Sequence, residues 1–421
     1  MTAAIHTGAD GFLARYAALR DRLPGAQGVR DAAAESFRRN GLPGRRVEAW
    51  KYTDLRPVAV ASFQEPLGLR ANCDALLARV PALEGARLAF VDGRFRDDLS
   101  TPPIAARFTR FADRPVFGTL ARPDREPMVA LNTMLAEDGA IIDVPANTDG
   151  GLLHLVSLAT ATPGGAADFH PRHSIRLAPG ARLTVLETSI GDGTYLHAPV
   201  TELHVAEAAA LTHIRLQDES ATAFHLATLY AEIAERGTYD SFALNLGARM
   251  ARTEVHARLA GPGATTHLNG AQLLSGTQHA DFTTVVRHDA PHGTSRQTVK
   301  NVLAGRSRGV FQGRIEVARH AQKTDGYQMS QSLLLSPDAE IDTKPELEIF
   351  ADDVKCSHGA TVGELDNDQL FYLRSRGIPD AEARSMLVRA FLAEALDAVT
   401  HEAARAVLES AVEGWWQRQA A

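Results

Sequence analysis

The strongest concentration of metal-binding side-chain types in this chain lies in Asp352-Asp353-Val354-Lys355-Cys356-Ser357-His358-Gly359-Ala360-Thr361-Val362-Gly363. A thiolate and an imidazole both bind iron, and a histidine can stand in for a cysteine at an iron–sulfur cluster. If the segment is extended, Cys356 and His358 project to one face, because side chains two apart share a face of a strand. A stable cluster takes about four protein ligands. The chain has only two cysteines, Cys73 and Cys356, so this region cannot complete such a set. The missing ligands must come from another polypeptide, or the site must hold its cluster loosely. Both outcomes suit assembly and release better than permanent electron transfer. On spacing alone, the alternative is a buried cysteine beside a turn histidine.

Other chemical signatures occur in fragments. His288 and His292 flank Asp289-Ala290-Pro291, and a turn there could aim both rings at a transient iron; a structural turn is the competing reading. Gly305-Arg306-Ser307-Arg308-Gly309 spells a nucleophile elbow, but that motif needs a helix after the serine, and Val310 to Val317 reads as strand. His401-Glu402 opens a zinc-helix motif whose second histidine is replaced by Arg405, leaving a surface pair on a helix. No phosphate-binding G-x-x-x-x-G-K-[ST] loop and no complete G-x-G-x-x-G occur, so the chain shows no means of its own to bind ATP or a dinucleotide through such loops.

These residues sit in a chain of ordinary globular composition: 421 residues, 45% hydrophobic and 23% charged. That length predicts more than one structural region. A formal net charge of −7 gives no basic field for phosphate backbones, so nucleic acid is not an expected partner. Met1 to Asp10 lacks the basic start and apolar run of a signal peptide, and no stretch approaches the ~18 apolar residues of a membrane span. With no disulfide framework available, a reducing, cytoplasmic location is expected.

Three regions are legible. Residues 1–85 read as helical, with Phe12, Tyr16, Leu19 and Leu23 on one face and Phe37 closing a second segment. Cys73 there reads as a small buried apolar side chain at the start of a short helix. Residues 86–363 read as many half-buried strands: Thr253, Val255, Ala257 and Leu259 alternate with Arg252, Glu254, His256 and Arg258, and turns punctuate them. No helix long enough for βαβ units is expected among them. So many strands must form a sandwich, a barrel or a solenoid, and small inward residues with outward charges are compatible with a β-helix. Residues 364–421 return to helix. Leu370, Phe371 and Leu373 follow the capping Asp366; Ala383, Met386, Leu387, Ala390 and Phe391 form one stripe; Leu408, Ala411, Val412, Trp415 and Trp416 form another. These helices are expected to cap the open end of the strand region, to dock a partner, or both.

Four ordered segments resemble the C-terminal signature of the SufB/SufD family of iron–sulfur cluster assembly scaffolds. They are Lys323-Thr324-Asp325 to Gln328, Ile341 to Ile349, Asp352 to Gly363, and Phe371-Tyr372-Leu373-Arg374-Ser375-Arg376-Gly377. Phe311-Gln312-Gly313 and the His288 to Ser295 turn are in the same style. Glu48-Ala49-Trp50-Lys51-Tyr52-Thr53-Asp54-Leu55 is similar to the N-terminal element of the SufD branch. The chain also lacks the core cysteine through which SufB receives sulfur, which again favours that branch.

The resemblance implies a mainly β protein, a right-handed parallel β-helix between helical termini. It implies a non-catalytic scaffold subunit partnered by SufB and by the ATPase SufC, with sulfur supplied by a cysteine desulfurase system. A transient iron–sulfur cluster would be shared with SufB at the interface, with iron as a second candidate cofactor. Carried over, His358 is the prime metal ligand with Cys356 beside it, and helices from Leu370 through Met386, Leu387 and Phe391 would dock SufC. The alternatives are a SufB-like or homodimeric scaffold and, from another class, a carbohydrate-active or carbohydrate-binding β-helix. The last needs clustered carboxylates and aromatic platforms, and only 6% of residues are aromatic.

Overall fold

The alternation read between residues 252 and 259 folds as the strand Met250–Leu259. Strands of the same ten-residue length recur at Thr265–Leu274, His279–His288, Thr294–Leu303, Arg308–Val317, Asp325–Leu334 and Glu340–Ile349. The computed structural model describes residues 8–64, 72–161 and 165–420, so most of the Met1 to Asp10 segment lies outside the described residues. Between strands the chain turns at residues in the left-handed region, among them Gly263, Gly276, His292, Gly305 and Lys323. Gly305 therefore belongs to a turn, and Ser307 of the apparent nucleophile elbow is buried directly before a strand.

Successive strands pass alternately to two sheets, and within each sheet the long strands are parallel. In one, Leu229, Val255, Thr284, Gly313 and Pro345 lie in register; in the other, Ala243, Gly270, Val299, Ser330 and Ala360 do. The result is a β-solenoid of about eight turns with helices at both chain termini. Among the three architectures open from sequence, parallel stacking without intervening helices selects the solenoid, because each turn pairs with the one before it. One helix does intervene early, Pro127–Leu135, and nearly all of it is buried. No described helix is long and apolar enough to cross a membrane.

The lumen is apolar through the middle turns, where Leu229, Val255, Leu268 and Val286 meet. The outer face departs from the expected solvated charges. Arg252 and Glu254 are buried, because the N-terminal region lies across them. Trp50 stacks on the Arg252 guanidinium at 4.1 Å, Thr53 Oγ1 donates to Asp281 at 2.5 Å, and Ala49 O accepts from Gln312 at 3.3 Å. Phe12, Tyr16, Leu19, Leu23 and Phe37 are all buried with Trp50 in one cluster that includes Phe224 and Met250 of the solenoid. Cys73 is likewise buried, against Leu76, Ala89 and Leu158.

The C-terminal helices Asp380–Leu396 and Glu402–Ala420 do not cap the solenoid. They lie along its flank, where Val388, Leu392, Leu408, Val412 and Trp415 pack on Ile214, Phe242, Leu273 and Val302. The buried stripe thus runs through Ala383, Val388, Leu392 and Ala395, rotated away from the expected Met386-Leu387-Phe391 line. The physical reason is the neighbour. A flank of apolar strands offers more area to bury than the narrow end of the solenoid. His401 precedes its helix and accepts a long hydrogen bond from the Ala404 N–H at 3.4 Å, so it is an end cap and not half of a surface pair.

Burial sets an acid limit on this fold. Desolvation holds His154, His173 and His288 down at about 4 and His170 at about 3, so they fold neutral. Burial raises the carboxyls of Glu187 and Glu254, but the hydrogen bond from His213 to the first and the Arg252 charge beside the second outweigh it, leaving both at about 2. All these folded values lie below the unfolded ones. The stability they confer is complete above pH ~6.5, and it falls first as the unfolded histidines gain protons and then, below ~4.5, as the carboxylates do. The urea midpoint is expected to drop from pH 7.5 to 5.5 and further at 4.5; an unchanged midpoint across that range would contradict this assignment.

Candidate functional site

Cys356 and His358 lie on the strand Lys355–Gly363, the last of the ten-stranded sheet. It pairs with Asp325–Leu334, and its other edge has no strand partner among the described residues. The last strand of the opposite sheet, Glu340–Ile349, likewise pairs on one side, with Arg308–Val317. Pro345 is accommodated there because an edge strand can lack a donor. Both sheets therefore end together, and the end of the solenoid is open.

Register decides where the two side chains aim. Cys356 pairs with Gly326 and His358 with Gln328, both of which are buried on the lumen side. A Cβ built on Gly326 would stand 3.4 Å from both Cys356 Sγ and Ile315 Cδ1, which places the thiol against the wall of the lumen. Cys356 packs partly among Ile315, Leu347 and Val354, whereas His358, two residues on, is exposed at the mouth. Burial pushes the Cys356 thiol above its ordinary range, so at neutral pH a metal must displace its proton.

Beneath the histidine the lumen turns polar. Gln297, Gln328 and His358 occupy one register column on successive turns. Both glutamines are fully buried. Gln328 donates to Glu346 O at 3.2 Å and Thr284 donates to Gln297 at 2.5 Å, yet Gln328 Oε1 and Gln297 Nε2 have no partner among the described residues. Buried polar atoms without partners are costly and cluster where function requires them. Sequence reasoning missed these glutamines; only the strand register, and not any local motif, joins them to His358.

The other candidates separate. His288 is buried with Nε2 2.9 Å from Ser295 Oγ, while His292 is exposed at a corner in the left-handed region, so the turn does not aim both rings at one point. Of the residues expected to dock a partner, Leu370 is buried in its own chain, and Phe391 is covered by Lys300, whose Nζ stands 4.6 Å from the ring. Leu387 is half-buried. Phe371 is 73% and Met386 38% exposed, and these two remain available to a partner.

Comparison with known proteins gives the family. Residues 159–391 match the family described as "SUF system FeS cluster assembly, SufBD core domain", and residues 17–102 match "SufBD protein N-terminal region". The chain is 35% identical to the iron–sulfur cluster assembly protein SufD of Escherichia coli, over 86% of this chain and 87% of that protein. It is 31% identical to an iron–sulfur cluster assembly SufBD family protein of Synechocystis, over 88% of this chain and 86% of the relative. A chloroplastic protein of Arabidopsis thaliana, ABCI7, is 29% identical over 88% of this chain and 82% of its own length.

Proposed function

The chain belongs to the SufBD family of iron–sulfur cluster assembly proteins, and we propose that it is the SufD-type scaffold subunit of an assembly complex in the cytoplasm. In this role it holds a nascent cluster as cargo at the open end of its solenoid, facing a SufB-type subunit, while a separate SufC-type ATPase drives the complex and a cysteine desulfurase system supplies sulfur. The observation that carries this reading is the position of Cys356 and His358 on the lumen side of a last strand whose outer edge has no strand partner among the described residues. Two donors at an open edge are half a ligand set, and an edge of unpaired backbone groups favours pairing with another solenoid. A cluster shared between two chains can be released when either one moves.

Anaerobic co-expression with SufB-type and SufC-type partners tests it. The complex is expected to acquire cluster absorbance, iron and sulfide, and this chain purified alone is not. Cluster acquisition by the isolated chain would favour the homodimeric scaffold instead.

ATPase docking carries a separate expectation. The isolated chain should not hydrolyse ATP, and Phe371→Glu with Met386→Glu should weaken binding of the ATPase at least about tenfold, since exposed apolar anchors carry most of the energy of an interface. Both side chains are exposed, so the fold should survive. Undiminished ATPase binding by the double variant, measured by calorimetry, would remove the C-terminal helices from that interface.

A further inference from the structure

A second group of metal-binding side chains lies inside the solenoid wall, far along the chain from the open end. His197, Glu219 and His225 each present a ligand atom within 4.8 Å of the others, and all three are buried. His197 and His225 are register partners on adjacent strands, Tyr195–His197 and Phe224–Ile233, so solenoid stacking itself brings them together. Their rings stand 4.9 Å apart at 87°. Glu219 leaves the end of a neighbouring strand between them, with Oε1 at 3.1 Å from His197 Nδ1 and Oε2 at 2.6 Å from His225 Nδ1.

Hydrogen bonding alone accounts poorly for this cluster. His225 Nδ1 is buried and faces the Glu219 carboxylate at 2.6 Å without forming a regular hydrogen bond to it. The His225 side chain is itself only 7% exposed. Glu219 is 5% exposed, and no lysine or arginine among the described residues pairs with it; besides the two imidazoles it accepts from Gln217 Nε2 at 3.0 Å and has the buried Tyr195 hydroxyl beside it. A buried carboxylate facing two imidazoles carries a negative charge that a divalent cation would neutralise directly. Two donors each ~2.1 Å from a common ion lie ~3.0 Å apart at a right angle and ~3.4 Å apart at the tetrahedral angle, so the 3.1 Å His197 separation falls between the two and a small withdrawal of His225 from 2.6 Å completes the set.

The geometry points to a single divalent first-row transition ion, ferrous iron or zinc, bound by His197, Glu219 and His225. Two imidazoles and one carboxylate select such ions over magnesium or calcium, which take oxygen ligands. Ser157 Oγ lies 3.4 Å from His197 Nε2, so Nδ1, the nitrogen that faces Glu219, is the one that would bind the ion. Glu219 borders a cleft of about 670 Å³ together with Arg249, Gln278, Trp415 and Arg418, and because its side chain is only 1% exposed an ion would enter by local opening between that cleft and the carboxylate. The site stands on this chain's residues alone and needs no partner subunit.

The test uses the full chain, stripped with a chelator and titrated separately with Co²⁺, Zn²⁺ and, anaerobically, Fe²⁺. We expect one equivalent retained after desalting, visible ligand-field bands for cobalt and a higher melting temperature for each ion that binds. Glu219→Gln and His225→Asn should lower affinity at least about tenfold, while His358→Ala should leave it unchanged, which separates this site from the open end. Retention below a tenth of an equivalent with no thermal shift in the unaltered chain would overturn the proposal, whatever the variants do. So would wild-type retention in folded Glu219→Gln and His225→Asn. Comparison of the three ions decides between iron and zinc.

Discussion

Replacing His358 by alanine should lower the cluster content of the co-purified complex at least about tenfold while leaving the subunits associated. His358 is exposed at the mouth of the lumen, so its removal takes away a donor and almost no packing. A neutral imidazole is a weaker cluster ligand than an anionic thiolate, which suits a ligand that must let its cargo go. Cys356 differs in every respect. Its sulfur is partly packed against Ile315, and burial holds the thiol protonated, so metal binding there must work against both. In an extended strand the two β-carbons lie ~7 Å apart, enough for different irons of one cluster but not for one iron without rearrangement. Cys356→Ala should therefore be the milder change for loading. Absorbance, iron and sulfide of each co-purified variant decide the matter. Wild-type loading in His358→Ala defeats the ligand assignment, and a deeper loss in Cys356→Ala reverses the ranking.

The largest stability effect is expected far from that site, at Arg252. This side chain is about 1% exposed, sandwiched under Trp50 and ion-paired with Asp281 and with Glu254, the latter at 3.0 Å. Arg252→Ala leaves two buried carboxylates without a cation and takes away the surface on which the N-terminal segment lies. Breaking a buried pair in this way costs about 3–5 kcal/mol. Arg252→Lys keeps the charge but loses the planar fork that serves both carboxylates and the stack on Trp50, so an intermediate loss is expected. Urea unfolding measures the size of the effect. Limited proteolysis should show earlier cleavage around Glu48 to Thr53 in the alanine variant. A midpoint equivalent to within about 1 kcal/mol of the unaltered chain would mean that the N-terminal segment is held by its apolar contacts alone.

This second case shows why an accurate strand reading still misplaced the charges. Period-two alternation correctly located Val255, Ala257 and Leu259 on the lumen face. Alternation reports two faces of a strand, however, and cannot say that a segment two hundred residues earlier will cover the second one. The Trp50 to Thr53 element was visible as a motif, but its docking partner was not. The helices after Gly363 repeat the lesson. Their existence follows from local capping and periodicity, whereas Leu392 and Val388 face inward in place of Met386 because the apolar flank of the solenoid supplies the contact surface.

The sequence by itself determined that Cys356 and His358 stand two apart on one face of a strand, that no second cysteine lies in the strand region and, through its long ordered motifs, the family. Those properties are local, being fixed by residue type and by a two-residue period. Only the tertiary structure decided that the strand carrying the pair is the last one of an open solenoid. It also placed Gln297 and Gln328 beneath His358 and brought His197, Glu219 and His225 together. In a solenoid, neighbours in space lie one full turn apart in the chain, with turn lengths that vary. Register between turns is set by hydrogen bonding and packing along the whole stack, and no window of sequence contains it.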